Sequence, residues 1–241
     1  MLAVGSACGR AFNDPLAGWG GEPEVASITI LPVDIEVASK VVVVAEATVP
    51  AVVAYSSPDV LTAQVGQFAN PLPTGGPLVF QVVDRDQSGQ WLEVLLPVRP
   101  NGTTGWIHSD AVSLAENPYR IDVDISDHRL TVSRQGEVLV GTDVAIGTGE
   151  TPTPIGEFYL TALLQPSSPN GRYGAYAFGL SGFSETLREF NGGDGVIGIH
   201  GTNEPESLGT DVSHGCIRLH NDVITELAQY LPLGTPVTIR N

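Results

Sequence analysis

Basic residues are scarce in this chain. Eleven Lys and Arg face 27 Asp and Glu, for a net charge of −16. Lys40 is its lone lysine. Such an acidic surface is a poor match for non-specific nucleic-acid binding, which needs a basic face. Cysteine is scarcer still, with one at position 8 and one at position 216. That count excludes a disulfide scaffold and leaves each thiol to be explained on its own. No apolar run reaches the roughly 20 residues of a membrane-spanning helix. No Cys-x-x-Cys or His-x-x-x-His element of the kind that announces a zinc site is present. What the 241 residues do offer is ordinary apolar content, 42 %, and length for one or two domains with a real core.

Of the two thiols, Cys216 carries the chemistry. It lies in Val212-Ser213-His214-Gly215-Cys216-Ile217-Arg218-Leu219-His220-Asn221, and a second histidine precedes it in Gly198-Ile199-His200-Gly201-Thr202. A thiol ionises near pH 8.5 when unperturbed, so a Cys nucleophile needs a base to take its proton and small neighbours to admit a carbonyl. His200, His214 and Gly215 offer both. Two other readings remain open on the residues alone. Free cysteines are often inert core groups, and Cys216, His200, His214 and His220 could in principle ligate a metal, although one Cys with three His at this spacing is unusual for zinc.

The rest of the chain reads as mainly β. Residues 9–48 read as a spacer, though Val41-Val42-Val43-Val44 is β-prone. Residues 49–116 read as a small all-β module. Its short apolar runs, such as Ala51–Tyr55, Leu78–Val83, Trp91–Leu96 and Gly105–His108, are separated by Gly-, Pro- and Asp-rich turns. From Tyr119, alternating apolar positions (Ile121, Val123, Ile125, then Leu130, Val132, then Val138, Val140) predict a β meander turning at Asp127-His128 and Gln135-Gly136. His128 is then a surface hairpin residue. Residues 165–195, rich in Gly, Ser and Tyr, predict a long irregular segment whose Tyr173, Tyr176 and Phe178 either line the site or pack on the sheet. One helix is predicted, capped near Asn221-Asp222, running through Val223, Ile224, Leu227, Ala228 and Leu231, and ended by Pro232 and Gly234.

The paired elements Ile199-His200-Gly201 and Ser213-His214-Gly215-Cys216-Ile217-Arg218 resemble the L,D-transpeptidase family, the YkuD-type catalytic domain of bacterial cell-wall enzymes. Thr151-Pro152-Thr153-Pro154-Ile155-Gly156-Glu157-Phe158 matches that family's turn and strand, and Gly234-Thr235-Pro236-Val237-Thr238-Ile239 its closing strand. The resemblance implies a β-sandwich-type catalytic domain over 117–241. The 49–116 module, through Gly89-Gln90-Trp91-Leu92-Glu93-Val94 and Gly105-Trp106-Ile107, is similar to a bacterial SH3-like barrel.

By the same resemblance, Cys216 attacks a peptidoglycan stem tetrapeptide at its third residue, D-Ala leaves, and a neighbouring stem's amine resolves the thioester into a 3→3 cross-link. His200 is the implied base, its second ring nitrogen oriented by the Gly201 carbonyl. His214 supports the site, Gly215 and Cys216 offer N–H groups to an oxyanion, and Ser213, Arg218, Gly201 and Tyr176 contact substrate. No metal or nucleotide cofactor is implied, and carbapenems are expected to acylate the thiol. The same site with water as acceptor gives a carboxypeptidase, with a protein lysine it gives protein attachment to the wall, and without activity it leaves a wall-binding module. Finally, Met1-Leu2-Ala3-Val4-Gly5-Ser6-Ala7-Cys8-Gly9 resembles the end of a lipoprotein signal. Residues 1–8 are expected to be a truncated signal remnant, Cys8 a lipidation site, and the protein a secreted, membrane-anchored component of the cell envelope.

Overall fold

The computed structural model describes residues 41–189 and 193–241. Cys8, the signal remnant and the spacer up to residue 40 lie outside the described residues.

The first sheet is built from β1 (Val42–Ala47), β2 (Ala51–Tyr55), β3 (Gln64–Ala69), β4 (Val79–Arg85), β5 (Trp91–Leu95), β6 (Thr104–His108) and β7 (Val112–Asn117). Its strand order is β3-β2-β6-β5-β4-β1-β7. Alternation accounts for the strands that face one core. In β2, Val52 and Ala54 are buried, and in β6, Gly105 and Ile107. Phe80, Leu92, Leu96 and Ile107 fill the centre of that core. Trp91 is buried and packs edge-on against Tyr55 and His108, with ring centroids 5.7 and 5.1 Å away.

Strand β1 corrects the sequence reading, which placed Val42–Ala47 in the spacer. It pairs antiparallel with both β4 and β7. Its apolar run is continuous because both faces are covered: Ala45 and Ala47 join the first core, whereas Val44 joins Val79, Leu95 and Tyr159 in a separate cluster.

The second sheet opens with the predicted meander, β8 (Tyr119–Asp124), β9 (Arg129–Arg134) and β10 (Glu137–Asp143). Gln135 and Gly136 both take positive φ, 51° and 88°, as a two-residue hairpin turn with the native strand twist requires. There follow β11 (Ile146–Gly147), β12 (Gly156–Leu164), β13 (Ala177–Phe183), β14 (Val196–His200), β15 (Asp211–Ser213), β16 (Ile217–Arg218), the helix α1 (Asn221–Tyr230) and β17 (Pro236–Arg240). The eight-stranded order is β10-β9-β8-β17-β12-β13-β14-β16, with β11 and β15 forming a small parallel pair beside it. The mainly β fold with one helix is therefore as expected, α1 being the single α-helix among the described residues. Its Ile224 and Leu227 join Ile199, Ile217 and Leu219 in the core beneath the site. No helix among the described residues is long and apolar enough to cross a membrane.

Two further expectations change in part. The described part of 165–195 is irregular over most of its length, as expected, but β13 interrupts it and pairs with both β12 and β14. Its glycines hid it: a Cβ on Gly182 would sit 2.5 Å from the Phe158 ring, so this strand is Gly-rich where a large side chain lies across it. The cap of α1 is His220, not Asn221 or Asp222. His220 has extended dihedrals, and its Nδ1 accepts from the Asp222 N–H at 3.4 Å.

The two sheets meet through Tyr159, which is fully buried among Val44, Val79 and Leu95. Beside this contact, Asn101 and Phe183 exchange side-chain-to-backbone hydrogen bonds of 2.8 and 2.9 Å. The Arg99 guanidinium donates to the carbonyls of Ser184, Leu187 and Asp194 and lies 4.8 Å from the Phe183 ring centroid.

Candidate active site

Parallel pairing of β14 with β16 brings the two sequence elements together. Ile199 is in register with Ile217 and His200 with Arg218, so Cys216 stands at the mouth of β16 opposite the β14 backbone. The outer side of β16 is held by Ala145, which exchanges backbone hydrogen bonds with Arg218 at 3.1 and 2.8 Å. His200 and Cys216 line one open cavity of about 370 Å³. Arg172 and Tyr173 stand over it from the loop before β13, and Glu204 and Arg218 close another side.

His200 is buried, at 4 % exposure. Its Nδ1 is 2.6 Å from the Gly201 carbonyl oxygen, the acceptor that the family resemblance implied. A carbonyl can only accept, so Nδ1 carries the hydrogen and Nε2 is the basic nitrogen. Burial lowers the imidazole pKa from 6.5 to about 4. The Gly201 carbonyl opposes that shift and the nearby Arg218 guanidinium adds to it. The Tyr173 ring stands edge-on to the imidazole at 5.0 Å.

Cys216 is a free thiol with partial exposure. Burial raises its pKa. The Gly198 backbone N–H and the Arg218 charge act in the other direction and favour the thiolate. With the imidazole pushed down and the thiol pushed up, both shifts favour the neutral forms at rest. From such a neutral pair, the thiol proton would pass to the imidazole as the sulfur attacks a carbonyl, not before.

The turn carrying the thiol is tied internally. Ser213 Oγ donates to the Cys216 carbonyl at 2.6 Å and accepts the Gly215 N–H at 3.1 Å. Gly215 has φ of 111°, which glycine adopts without strain, and a Cβ there would sit 2.9 Å from the Ile197 Cδ1, so the dihedral is what requires glycine. This revises two expected roles. Ser213 is 1 % exposed and its hydroxyl is engaged in the turn rather than offered to substrate. The Gly215 N–H is likewise engaged, with the Ser213 hydroxyl, which leaves the Cys216 N–H of the expected oxyanion pair.

Sequence reasoning missed Thr151 and Thr153. Thr151 Oγ1 donates to the Ser213 carbonyl at 3.2 Å. Thr153, buried, donates to the Gly215 carbonyl at 3.0 Å while accepting the Gly147 N–H at 2.9 Å. The Thr-Pro-Thr-Pro run is therefore the backing of the thiol turn. The signal was its two hydroxyls, spaced by prolines that donate no N–H of their own.

The remaining predicted residues divide. His214 is exposed and lines the cavity. Arg218 lines it too, but is paired with Glu204 at 3.2 Å. Gly201 is a packing position, where a Cβ would collide with Asn221 Oδ1 at 2.1 Å. Tyr176 packs against the core, and Phe178 lies within it. The aromatic residue at the cavity is Tyr173. His128 is a surface turn residue, with φ of 49° and its Nε2 2.7 Å from Asp211 Oδ1. Among the described residues, no three His, Cys, Asp or Glu side chains are grouped as ligands of a metal.

Residues 118–239 match the family model of the YkuD L,D-transpeptidase catalytic domain. The chain is 42 % identical over 122 residues to the putative L,D-transpeptidase YkuD of Bacillus subtilis strain 168, spanning 51 % of this chain and 66 % of that protein. It is 36 % identical over 141 residues to the putative L,D-transpeptidase YqjB of the same strain, spanning 52 % of this chain and 76 % of that protein. Among solved structures, a mutant Enterococcus faecium L,D-transpeptidase aligns with a TM-score of 0.41 at 25 % identity, over 52 % of this chain and 50 % of the other.

Proposed function

This chain belongs to the YkuD family of L,D-transpeptidase catalytic domains, and we propose on that footing that it joins peptidoglycan stem peptides in 3→3 cross-links through a thioester on Cys216. The observation that carries the proposal is the shared cavity of His200 and Cys216, with the Gly201 carbonyl holding His200 in the tautomer whose Nε2 is basic.

In the first half-reaction the Cys216 Sγ bonds to the carbonyl carbon of the third stem residue as its proton passes to His200 Nε2. The oxyanion meets the Cys216 N–H. The C–N bond then breaks, the proton moves from Nε2 to the departing amine, and D-Ala leaves. In the second half-reaction a neighbouring stem's side-chain amine attacks the thioester and gives its proton to His200. The thiol is then expelled and reprotonated. Burial keeps His200 neutral at physiological pH, so the base is ready in each half. The resting thiol is protected from adventitious oxidation because little of it is ionised. A carbapenem meets the same thiol, which opens its β-lactam ring to a stable acyl-enzyme.

The β1–β7 sheet is read as an SH3-like module that precedes the catalytic domain and fixes its placement at the wall. The envelope, with Cys8 as a lipid anchor, is the proposed location. The test is mass spectrometry of the protein with disaccharide-tetrapeptide, beside Cys216→Ala. Cross-linked dimer and free D-Ala, both absent in the variant, are expected. D-Ala without dimer points to the carboxypeptidase reaction, and no product from either protein overturns the proposal.

A further inference from the structure

The loop before β13 presents a short turn to the cavity. Gly174 N–H donates to the Gly171 carbonyl at 2.9 Å, which leaves Arg172 and Tyr173 as the two central residues. The turn is docked on the segment that follows the base. Gly174 has φ of 64°, and a Cβ there would lie 2.1 Å from Asn221 Oδ1 and 2.5 Å from Gly201 Cα. Nothing larger than glycine allows that approach. Tyr173, stacked edge-on to His200, fixes the other side. Arg172 is thus held at the cavity shared by Cys216 and His200, on a turn packed against the active-site backbone.

Its charge is uncommitted. Arg172 is exposed and has no hydrogen-bond or ion-pair partner among the described residues, whereas the cavity's other guanidinium, Arg218, is paired with Glu204. In a chain of net charge −16, an unpaired guanidinium lining the cavity that also holds Cys216 is an attraction point for an anion.

We propose that Arg172 is a specificity-determining residue that binds a substrate carboxylate flanking the scissile amide. The inference rests on the transpeptidase reading. Two carboxylates of a tetrapeptide stem fit that chemistry: the C-terminal carboxylate of the departing residue, and the one on the side chain of the third residue when that is a dicarboxylic diamino acid. A stem extended by another residue or capped as an amide loses the first, and amidation of the diamino acid loses the second. Arg172 makes the enzyme discriminate on that basis.

The test compares acylation of Cys216 in the wild-type chain, Arg172→Gln and Arg172→Lys on three stems: the free acid, its C-terminal amide, and the form amidated on the diamino acid. Arg172→Gln is expected to lower kcat/KM on the free acid roughly tenfold, chiefly through KM, as loss of a charge-assisted hydrogen bond does. It should leave unchanged the rate on the amide that lacks the bound carboxylate, which identifies the carboxylate. Arg172→Lys should recover part of the loss, with melting temperatures equal across the three proteins. An equal loss on all three stems, or no loss on any, overturns the inference while the wild type still turns over. Failure of the wild type to be acylated by any of the stems instead overturns the transpeptidase reading, and the inference falls with it.

Discussion

Ser213 and Cys216 are joined across the turn that carries the thiol: the serine hydroxyl donates to the Cys216 carbonyl at 2.6 Å. The same oxygen accepts the Gly215 N–H at 3.1 Å. One buried hydroxyl thus fixes both the carbonyl behind the nucleophile and the amide before it. Ser213→Ala leaves the buried Gly215 N–H without that acceptor, and the turn is free to relax. A loss of about 2 kcal/mol in stability is expected, since an orphaned buried donor costs roughly 1–3 kcal/mol. A fall in the acylation rate should accompany it, because the Cys216 N–H and Sγ are positioned by this turn. Denaturant titration and single-turnover acylation measure the two effects separately.

The buried imidazole makes a prediction with a definite sign. The folded pKa of His200, about 4, lies below the ordinary 6.5. Between those values the unfolded chain takes up a proton that the folded protein refuses. Stability present above pH 6.5 therefore declines as pH falls and is lost by about pH 4. A shift of this size corresponds to roughly 3 kcal/mol. His200→Gln should show a flatter stability profile over that window than the wild type, measured by denaturation at matched pH values. In activity, the acid limb of kcat/KM for the wild type should fall near pH 4 rather than near 6.5, because the free enzyme's base stays neutral down to that pH.

The thiol carries the opposite shift. Burial is the leading influence on Cys216 and pushes its pKa up, while the Gly198 amide and Arg218 only partly offset it. The alkylation rate of Cys216 with iodoacetamide should therefore rise with a midpoint above that of an unperturbed thiol. Arg218→Gln should move it higher still, by removing a favourable charge. Rapid alkylation below pH 8 would show instead that an ion pair stands ready at rest.

The parts of this site that could be read from the chain are those in which residue identity alone constrains chemistry. The Ser-His-Gly-Cys run and the Ile-His-Gly run pointed to each other, and β16 beside β14 unites them. The helix was legible because its apolar positions recur at helical spacing, although its cap moved back to His220. What was hidden depended on partners distant in sequence. β13 looked like a loop because Gly182 makes room for the Phe158 ring. β1 looked like a tether because its two apolar faces serve different clusters. Thr153 looked like part of a turn, yet its hydroxyl reaches the Gly215 carbonyl of a segment far along the chain. A hydroxyl's partner is set by the tertiary fold, so no local pattern encodes it.

The junction of the two sheets holds a test of a different kind. Tyr159 is fully buried among Val44, Val79 and Leu95, and its hydroxyl oxygen has no hydrogen-bond partner among the described residues. That hydroxyl also holds its proton more tightly than usual, because burial penalises the phenolate. The ring contributes apolar burial at the seam, but the oxygen forgoes hydration without return. Removing the oxygen while keeping the ring separates the two effects. Tyr159→Phe should leave the fold intact and raise stability by about 1 kcal/mol, the lower end of the cost of an unsatisfied buried hydroxyl. Tyr159→Ala should lower it by about 3–5 kcal/mol through loss of the ring and the cavity left behind. Opposite signs for the two variants in one denaturation experiment would show that the seam is held by the ring, and a loss in both would show that the hydroxyl has a partner supplied by solvent.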